Sequence, residues 1–190
     1  MKIFHIHTDY TDGTSSIEEY FDYASRNEIT ELIFTEHIRR NPSYDFGLFK
    51  NEVQKFQQKY NVSAICGCEA KILEGGTLDI SKEDYDKAEL IVGSFHGQTN
   101  NPFTDLLKAL SQMDVWGHPN IDFTDGELKE IFSKCIKEDV MIEINLKYGD
   151  IYRIGKKAEL EMVRTIVGYD AHSIQDIQEI LEDNKFFKKN

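Results

Sequence analysis

The residues of this chain whose types and spacing could do chemistry are six histidines (His5, His7, His37, His96, His118 and His172) and three carboxylates set among them (Asp12, Glu69 and Asp170). The first two histidines stand one residue apart at the end of a short apolar run, in Phe4-His5-Ile6-His7-Thr8-Asp9-Tyr10-Thr11-Asp12-Gly13. In a β-strand, residues i and i+2 point to the same side, so both imidazoles are expected to face one way. Neutral imidazole is the commonest protein ligand for metals, and a pair of imidazoles suits zinc, iron, manganese or nickel. Two histidines on one strand are a weak signal alone; the elements that position the other four decide what the pair means.

Hydrophobic periodicity supplies those elements. Strands are expected over residues 2–7, 29–34, 62–66, 88–94, 114–116, 140–144 and 162–168. Helices are expected from a Ser15-Ser16 start, over 45–60, 102–112 and 125–137, within 149–161, and from a Ser173 cap to about residue 182. Residues 73–86, with Gly75-Gly76, read as a hairpin or an excursion, and 185–190 as a frayed tail. Strand and helix thus alternate seven times, which predicts an α/β protein with a largely parallel sheet, open or closed into a barrel, in one domain spanning 1–190. All six histidines fall at or just past the C-terminal ends of these strands, and none falls in a helix. Asp12, Glu69 and Asp170 follow the first, third and seventh strands. In a closed parallel barrel those ends share one face, the face where barrel enzymes place their active sites. Six imidazoles and three carboxylates on one rim would suit two or three divalent metal ions.

Bulk properties narrow the function further. The formal charge of -12 leaves no basic block to neutralise phosphates and argues against a nucleic-acid partner. Cys66 and Cys68 are too close in sequence for an ordinary disulfide and lack the C-x-x-C spacing, so they and Cys135 read as reduced thiols. No window approaches the roughly 18 apolar residues of a membrane span, and the N-terminus has no secretory leader pattern. A cytoplasmic protein with no membrane partner is the expectation.

The motifs His5-x-His7-Thr8-x-x-Thr11-Asp12-Gly13, Thr35-Glu36-His37, Gly67-x-Glu69, Gly93-Ser94-x-His96, Gly117-His118-Pro119 and Asp170-Ala171-His172 occur in an order that resembles the polymerase-and-histidinol-phosphatase (PHP) superfamily of metal-dependent phosphoesterases. The resemblance implies a distorted, TIM-like (βα)7 barrel with a metal cluster on the C-terminal rim of the strands. It assigns His5, His7, Glu69 and Asp170 to one metal, Glu69 with His96 and His118 to a second, and Asp12, His37 and His172 to a third. Two to three divalent ions (Zn, Mn or Fe) are implied. The chain departs from the family pattern at Glu36, where aspartate is common, and at Tyr169, where serine is.

The activity implied is that of a phosphomonoesterase similar to histidinol phosphatase, in which a metal-activated hydroxide attacks a small phosphorylated substrate. Asp170 and His172 are the candidate catalytic residues, with His172 helping to protonate the leaving group. Arg39 and Arg40 are the candidate substrate-binding residues, because guanidinium presents a planar fork of donors to phosphate. Lys147 and Arg153 are weaker candidates, and Asn145 either orients substrate or satisfies backbone groups. A phosphodiesterase or 3'-5' exonuclease, a protein-tyrosine phosphatase, and a non-catalytic metal-binding regulatory module are the alternatives. The cysteines, Trp116 and the Tyr20, Phe21, Tyr23 stripe are expected in the core.

Overall fold

The computed structural model describes residues 1–147 and 152–187. Seven parallel strands run in sequence order: β1 (Lys2–Ile6), β2 (Glu31–Ile38), β3 (Ser63–Lys71), β4 (Ile91–Ser94), β5 (Val115–Trp116), β6 (Met141–Asn145) and β7 (Thr165–Gly168). Between and after them lie α1 (Ile17–Arg26), α2 (Phe46–Tyr60), α3 (Lys82–Lys87), α4 (Pro102–Ala109), α5 (Asp125–Glu138), α6 (Tyr152–Leu160) and α7 (Ile174–Phe187). Backbone bonds from Tyr169 N to Phe4 O, Ala171 N to His5 O and His7 N to Ala171 O join the chain after β7 to β1, so the sheet curls into a nearly closed TIM-like barrel. Local chemistry starts the helices where expected: Ser16 with Glu19 and Thr124 with Glu127 form capping boxes, and Asp45 caps α2.

The two-residue period of the strands sorts the barrel into layers. Phe4, Ile33, Val92 and Val115 form a small buried cluster, with Ile65, Met141 and Ile166 packed against it. This cluster is the apolar floor of the barrel interior. Two or four residues further along each strand, on the same face, come His37 after Ile33, Glu69 after Ile65, Ser94 after Val92, Glu143 after Met141 and Gly168 after Ile166. The intervening positions, such as Phe34, Cys66, Cys68 and Ile142, belong to the larger core beneath the helices. That core also holds Trp116, Tyr20 and Phe21, as expected. Cys66, Cys68 and Cys135 are buried free thiols, and burial pushes the Cys66 thiol up to about 12.

Several boundaries differ from the sequence expectation. β2 and β3 run on through Thr35-Glu36-His37 and Gly67-Cys68-Glu69, with His37 paired to Glu69 in register. Those polar residues sit on a buried rim, so they continue strands that hydropathy alone would end. Residues 73–86 do hold the expected hairpin, with Ile72 bridged antiparallel to Leu78 around a turn closed by Leu73 N to Thr77 O, but the short helix α3, which Ser81 caps, follows it unannounced. β7 begins at Thr165, because Met162 adopts φ 58° and ends α6 with its side chain 86% exposed. α7 runs to Phe187, past the expected end near 182; the end of the expected tail (188–190) and the start of the expected loop (149–151) lie outside the described residues. Among the described residues, no helix is long and apolar enough to cross a membrane.

The layer model makes a contrast that denaturation can read. Phe4, 2% exposed in the barrel floor, is expected to cost about 3–5 kcal/mol on replacement by alanine. Leu48, 62% exposed on α2, is expected to change stability by less than about 0.5 kcal/mol. Urea unfolding of both variants checks this; equal costs would contradict the assignment of Phe4 to the floor.

Candidate metal centre

The site begins with a distortion in β1. Phe4 faces the floor, so simple alternation would turn His5 outward. Instead the register shifts between Phe4 and Ile6, and His5 adopts φ 70°, which turns the imidazole inward beside His7. The expected same-side pair therefore forms through a bulge and not through regular strand geometry. Asp170, at φ 48°, and His118, at φ 23°, share this left-handed conformation. The other non-glycine residues with positive φ (Glu28, Asn61, Asp139 and Met162) lie at or just beyond helix C-termini, where such conformations are ordinary. Backbone strain held at His5, His118 and Asp170 marks this rim as a built site.

Glu69 is the hub. It is fully buried. Its Oε1 lies 2.7 Å from His118 Nε2, 3.2 Å from His96 Nε2 and 3.5 Å from His5 Nε2. Its Oε2 lies 2.9 Å from His37 Nδ1 and 3.6 Å from His7 Nε2, and the Ser94 hydroxyl also donates to the carboxylate. Asp170 Oδ1 approaches His7 Nε2 at 3.5 Å and His5 Nε2 at 3.8 Å. Asp12 Oδ2 lies 3.2 Å from His37 Nε2 and 3.6 Å from His172 Nε2. The loop carrying Asp12 is fixed by Glu36, which accepts from Thr8 N and, at 2.5 Å, from the Thr11 hydroxyl. Gly13 packs so closely on the His7 backbone that a Cβ there would overlap it. The nine candidate ligands are thus brought together from six of the strand ends, and a cleft of about 470 Å³ lined by Asp12, His37, His96, His118, Asp170 and His172 opens over them.

Among the described residues, four overlapping groups have ligand atoms close enough to share an ion: His5, His7 and Asp170; His5, Glu69 and His118; His37, Glu69 and His96; and His7, Asp12, His37 and His172. The donor set fits divalent metals on a second ground. His5 Nε2, both His7 ring nitrogens and His96 Nε2 are buried without a well-formed hydrogen bond, and so are His37 Nδ1 and Glu69 Oε2, which face each other at 2.9 Å. Buried polar atoms are seldom left so, and the gathering of these six around Glu69 is what a cation site requires.

Electrostatics agree. Burial disfavours charge on His5, but the carboxylates of Glu143 and Glu69 outweigh it and hold the imidazole well above the ordinary histidine value. His37 and His118 are likewise raised despite burial, chiefly through Glu69. Burial pushes His7 down to about 4. Burial opposes ionisation of Glu69 and Asp170, yet the surrounding imidazoles hold both well below the usual carboxylate range.

The other candidates are placed as follows. Arg39 donates to the Ile38 carbonyl at 2.7 Å and lies 3.9 Å from Asp79; Arg40 Nη2 reaches Thr77 at 3.5 Å. Neither lines the cleft. Lys147 Nζ lies 3.1 Å from the Asp170 carbonyl and 3.5 Å from His172 Nδ1, whereas Arg153 pairs with Asp122 at 2.9 Å. Asn145 is buried, donating to Glu143 at 3.3 Å and accepting from Lys147 N at 2.9 Å. Sequence reasoning missed Glu143, whose Oε1 lies 2.7 Å from His5 Nδ1 and whose Oε2 accepts from His118 N. Its one signal was a lone charge inside the apolar strand Met-Ile-Glu-Ile-Asn. Ser94, Phe95 and Asn120, which touch Glu69 or line the cleft, were also not singled out.

The carboxylates around His5, His37 and His118 raise all three imidazoles, so protons compete with a metal for them, while burial lowers His7 to about 4 and leaves it neutral at pH 7. Loading zinc at about pH 7 is therefore expected to release protons, and affinity to rise with pH until those imidazoles are deprotonated. Titration calorimetry in two buffers of different ionisation enthalpy measures this; a buffer-independent heat would contradict it.

Comparison with known proteins agrees with the fold and identifies the family. A probable phosphatase of Aliivibrio fischeri is 28% identical to the chain, covering 91% of it and 78% of the relative. A probable phosphatase of Clostridium novyi is 25% identical, covering 88% and 79%. The DNA polymerase/3'-5' exonuclease PolX of Bacillus subtilis is 22% identical over 95% of the chain but only 35% of its own length. Among solved structures, the histidinol phosphate phosphatase of Lactococcus lactis subsp. lactis, complexed with zinc, L-histidinol and phosphate, superposes with a TM-score of 0.67, at 14% identity over 96% of this chain and 92% of that one. Residues 4–188 match the PHP domain family. The chain belongs to the PHP domain family of metal-dependent phosphoesterases.

Proposed function

We propose that the protein is a phosphomonoesterase that hydrolyses a small phosphorylated metabolite, similar to histidinol phosphatase, with two to three divalent ions (Zn, Mn or Fe) held by His5, His7, Asp12, His37, Glu69, His96, His118, Asp170 and His172. The observation that carries this reading is the set of unpartnered buried nitrogen and oxygen atoms gathered around Glu69, beneath a cleft of about 470 Å³. The ions, when bound, supply positive charge to the phosphoryl oxygens and lower the pKa of the attacking water.

The chain's own residues do the rest. Glu69, facing five imidazoles, sets the spacing of the whole centre. Asp170, held ionised among His5, His7 and His118, is the carboxylate that would complete an ion site with the two imidazoles of β1 and its exit. His172 lines the cleft with Nδ1 3.0 Å from the Asp170 carbonyl; with two ions bound and the third site empty, its Nε2 would carry the proton for the departing alkoxide, and with that site filled it would be a ligand instead. Phe95 and Asn120 offer the leaving group one apolar and one polar contact on the same wall. No lysine or arginine lines the cleft among the described residues, so the phosphate relies on the ions; Lys147 Nζ lies beside the cleft, 3.1 Å from the Asp170 carbonyl and 3.5 Å from His172 Nδ1, and Arg39 and Arg40 are left for the outer part of the substrate.

The small cleft and the acidic chain favour a monoester over a polynucleotide, although the likeness to PolX makes exonuclease activity the second reading. Metal-loaded protein is expected to hydrolyse histidinol phosphate or a comparable small monoester, with little action on single-stranded DNA or phosphotyrosine peptides. Asp170→Asn is expected to lower kcat by at least about 100-fold. A panel of monoesters, diesters, labelled DNA and phosphopeptides decides. Turnover of DNA alone would transfer the assignment to the second reading, and metal binding without turnover of any phosphoester would leave a regulatory module.

A further inference from the structure

Glu143 is fully buried on β6, one register row above the apolar floor, and it is absent from every ligand group. Both of its oxygens are committed. Oε1 lies 2.7 Å from His5 Nδ1 and also accepts from Asn145 Nδ2 at 3.3 Å, while Oε2 accepts from the backbone N–H of His118. His5 and His118 are two of the three strained rim residues, they come from strand ends on opposite sides of the barrel, and their rings stack at 5.7 Å. We infer that Glu143 is a positioning residue that sets two metal ligands together: it fixes His5 with Nδ1 protonated and Nε2 turned to the metal, and it holds the His118 backbone in the conformation that points Nε2 at Glu69.

Two features say that the chain is built around this carboxylate. A Cβ at Gly168 would overlap the Glu143 carboxyl group, so the neighbouring strand β7 leaves space for it there. Asn145, on the same face of β6, turns its amide toward Oε1. An ionised carboxylate accepts at both oxygens, whereas the isosteric glutamine has one acceptor and would set an N–H₂ against either His5 Nδ1–H or His118 N–H. Shape is therefore preserved by Glu143→Gln and the bonding pattern is not.

The inference rests on the proposed metal centre but not on its reaction, and the tests are separable. Zinc affinity is measured by chelator competition on metal-free wild type, Glu143→Gln and Gly168→Ala. Both variants are expected to lose about 10–100-fold in affinity at the steps involving His5 and His118. The step at Asp12, His37 and His172, which Glu143 does not touch, stays unchanged. A uniform loss at every step would reveal general destabilisation, and no loss would remove Glu143 from the centre; either overturns the inference. Should a variant not fold, nitrogen-15 NMR of zinc-loaded wild type still decides: His5 protonated at Nδ1 and metal-bound at Nε2 is expected, and the reverse tautomer overturns it. Failure of wild type to bind zinc would instead count against the proposed function, and it too would overturn the inference, because Glu143 would have no metal ligands to position.

Discussion

Taking a carboxylate and several imidazoles out of water together costs several kcal/mol per ion unless each finds a partner. Glu69 is the group on which that balance turns. It sits fully buried with His5, His7, His37, His96 and His118 all within 3.6 Å of its oxygens. Without it, the imidazoles would have no common counter-charge, and several of their ring nitrogens already lack a hydrogen bond. A cluster of this kind is poorly explained as a stabilising device, because apolar side chains of similar volume would fill the same space at lower cost. It is well explained as a preformed set of donors for a cation.

The rest of the barrel serves that cluster. An apolar floor of Phe4, Ile33, Val92 and Val115 closes the interior below, and the two-residue period carries polar side chains inward one step above it. The bulge at His5 breaks that period once, to bring a second imidazole inward on the same strand. On the outer face, α1 and α2 press Phe21, Phe49 and Phe56 against β2 and β3, which fixes the strands that carry His37 and Glu69. Thr8, Thr11 and Glu36 then hold the loop that delivers Asp12 to His37 and His172. Backbone strain at His5, His118 and Asp170 is tolerated because packing on several sides over-determines those positions.

Much of this was legible in the sequence because residue type and strand period act over a few positions. The seven alternations point to a largely parallel sheet, open or closed, and the order of the histidine motifs resembles a family whose sheet closes into a barrel, where strand ends converge on one face. What was not legible depends on pairing between distant strands. Thr35-Glu36-His37 and Gly67-Cys68-Glu69 look like exits from strands, yet mutual pairing of β2 with β3 keeps them inside the sheet. The helix α3, Lys-Glu-Asp-Tyr-Asp-Lys, has no apolar stripe to announce it and is marked only by its Ser81 cap. Glu143 read as part of an apolar strand, since its partners, His5 and the His118 backbone, lie 138 and 25 positions away. Arg39 and Arg40 were chosen for their chemistry beside His37, and the structure engages them with Ile38, Asp79 and Thr77 instead of the cleft wall.

The most direct test of Glu69 as the hub of a metal centre is elemental analysis of protein purified without chelator, wild type beside Glu69→Gln. The account predicts about two to three divalent ions per chain in wild type and a loss of most of them in the variant, with the fold retained by circular dichroism. Equal metal content in the two proteins, or none in folded wild type, would contradict it.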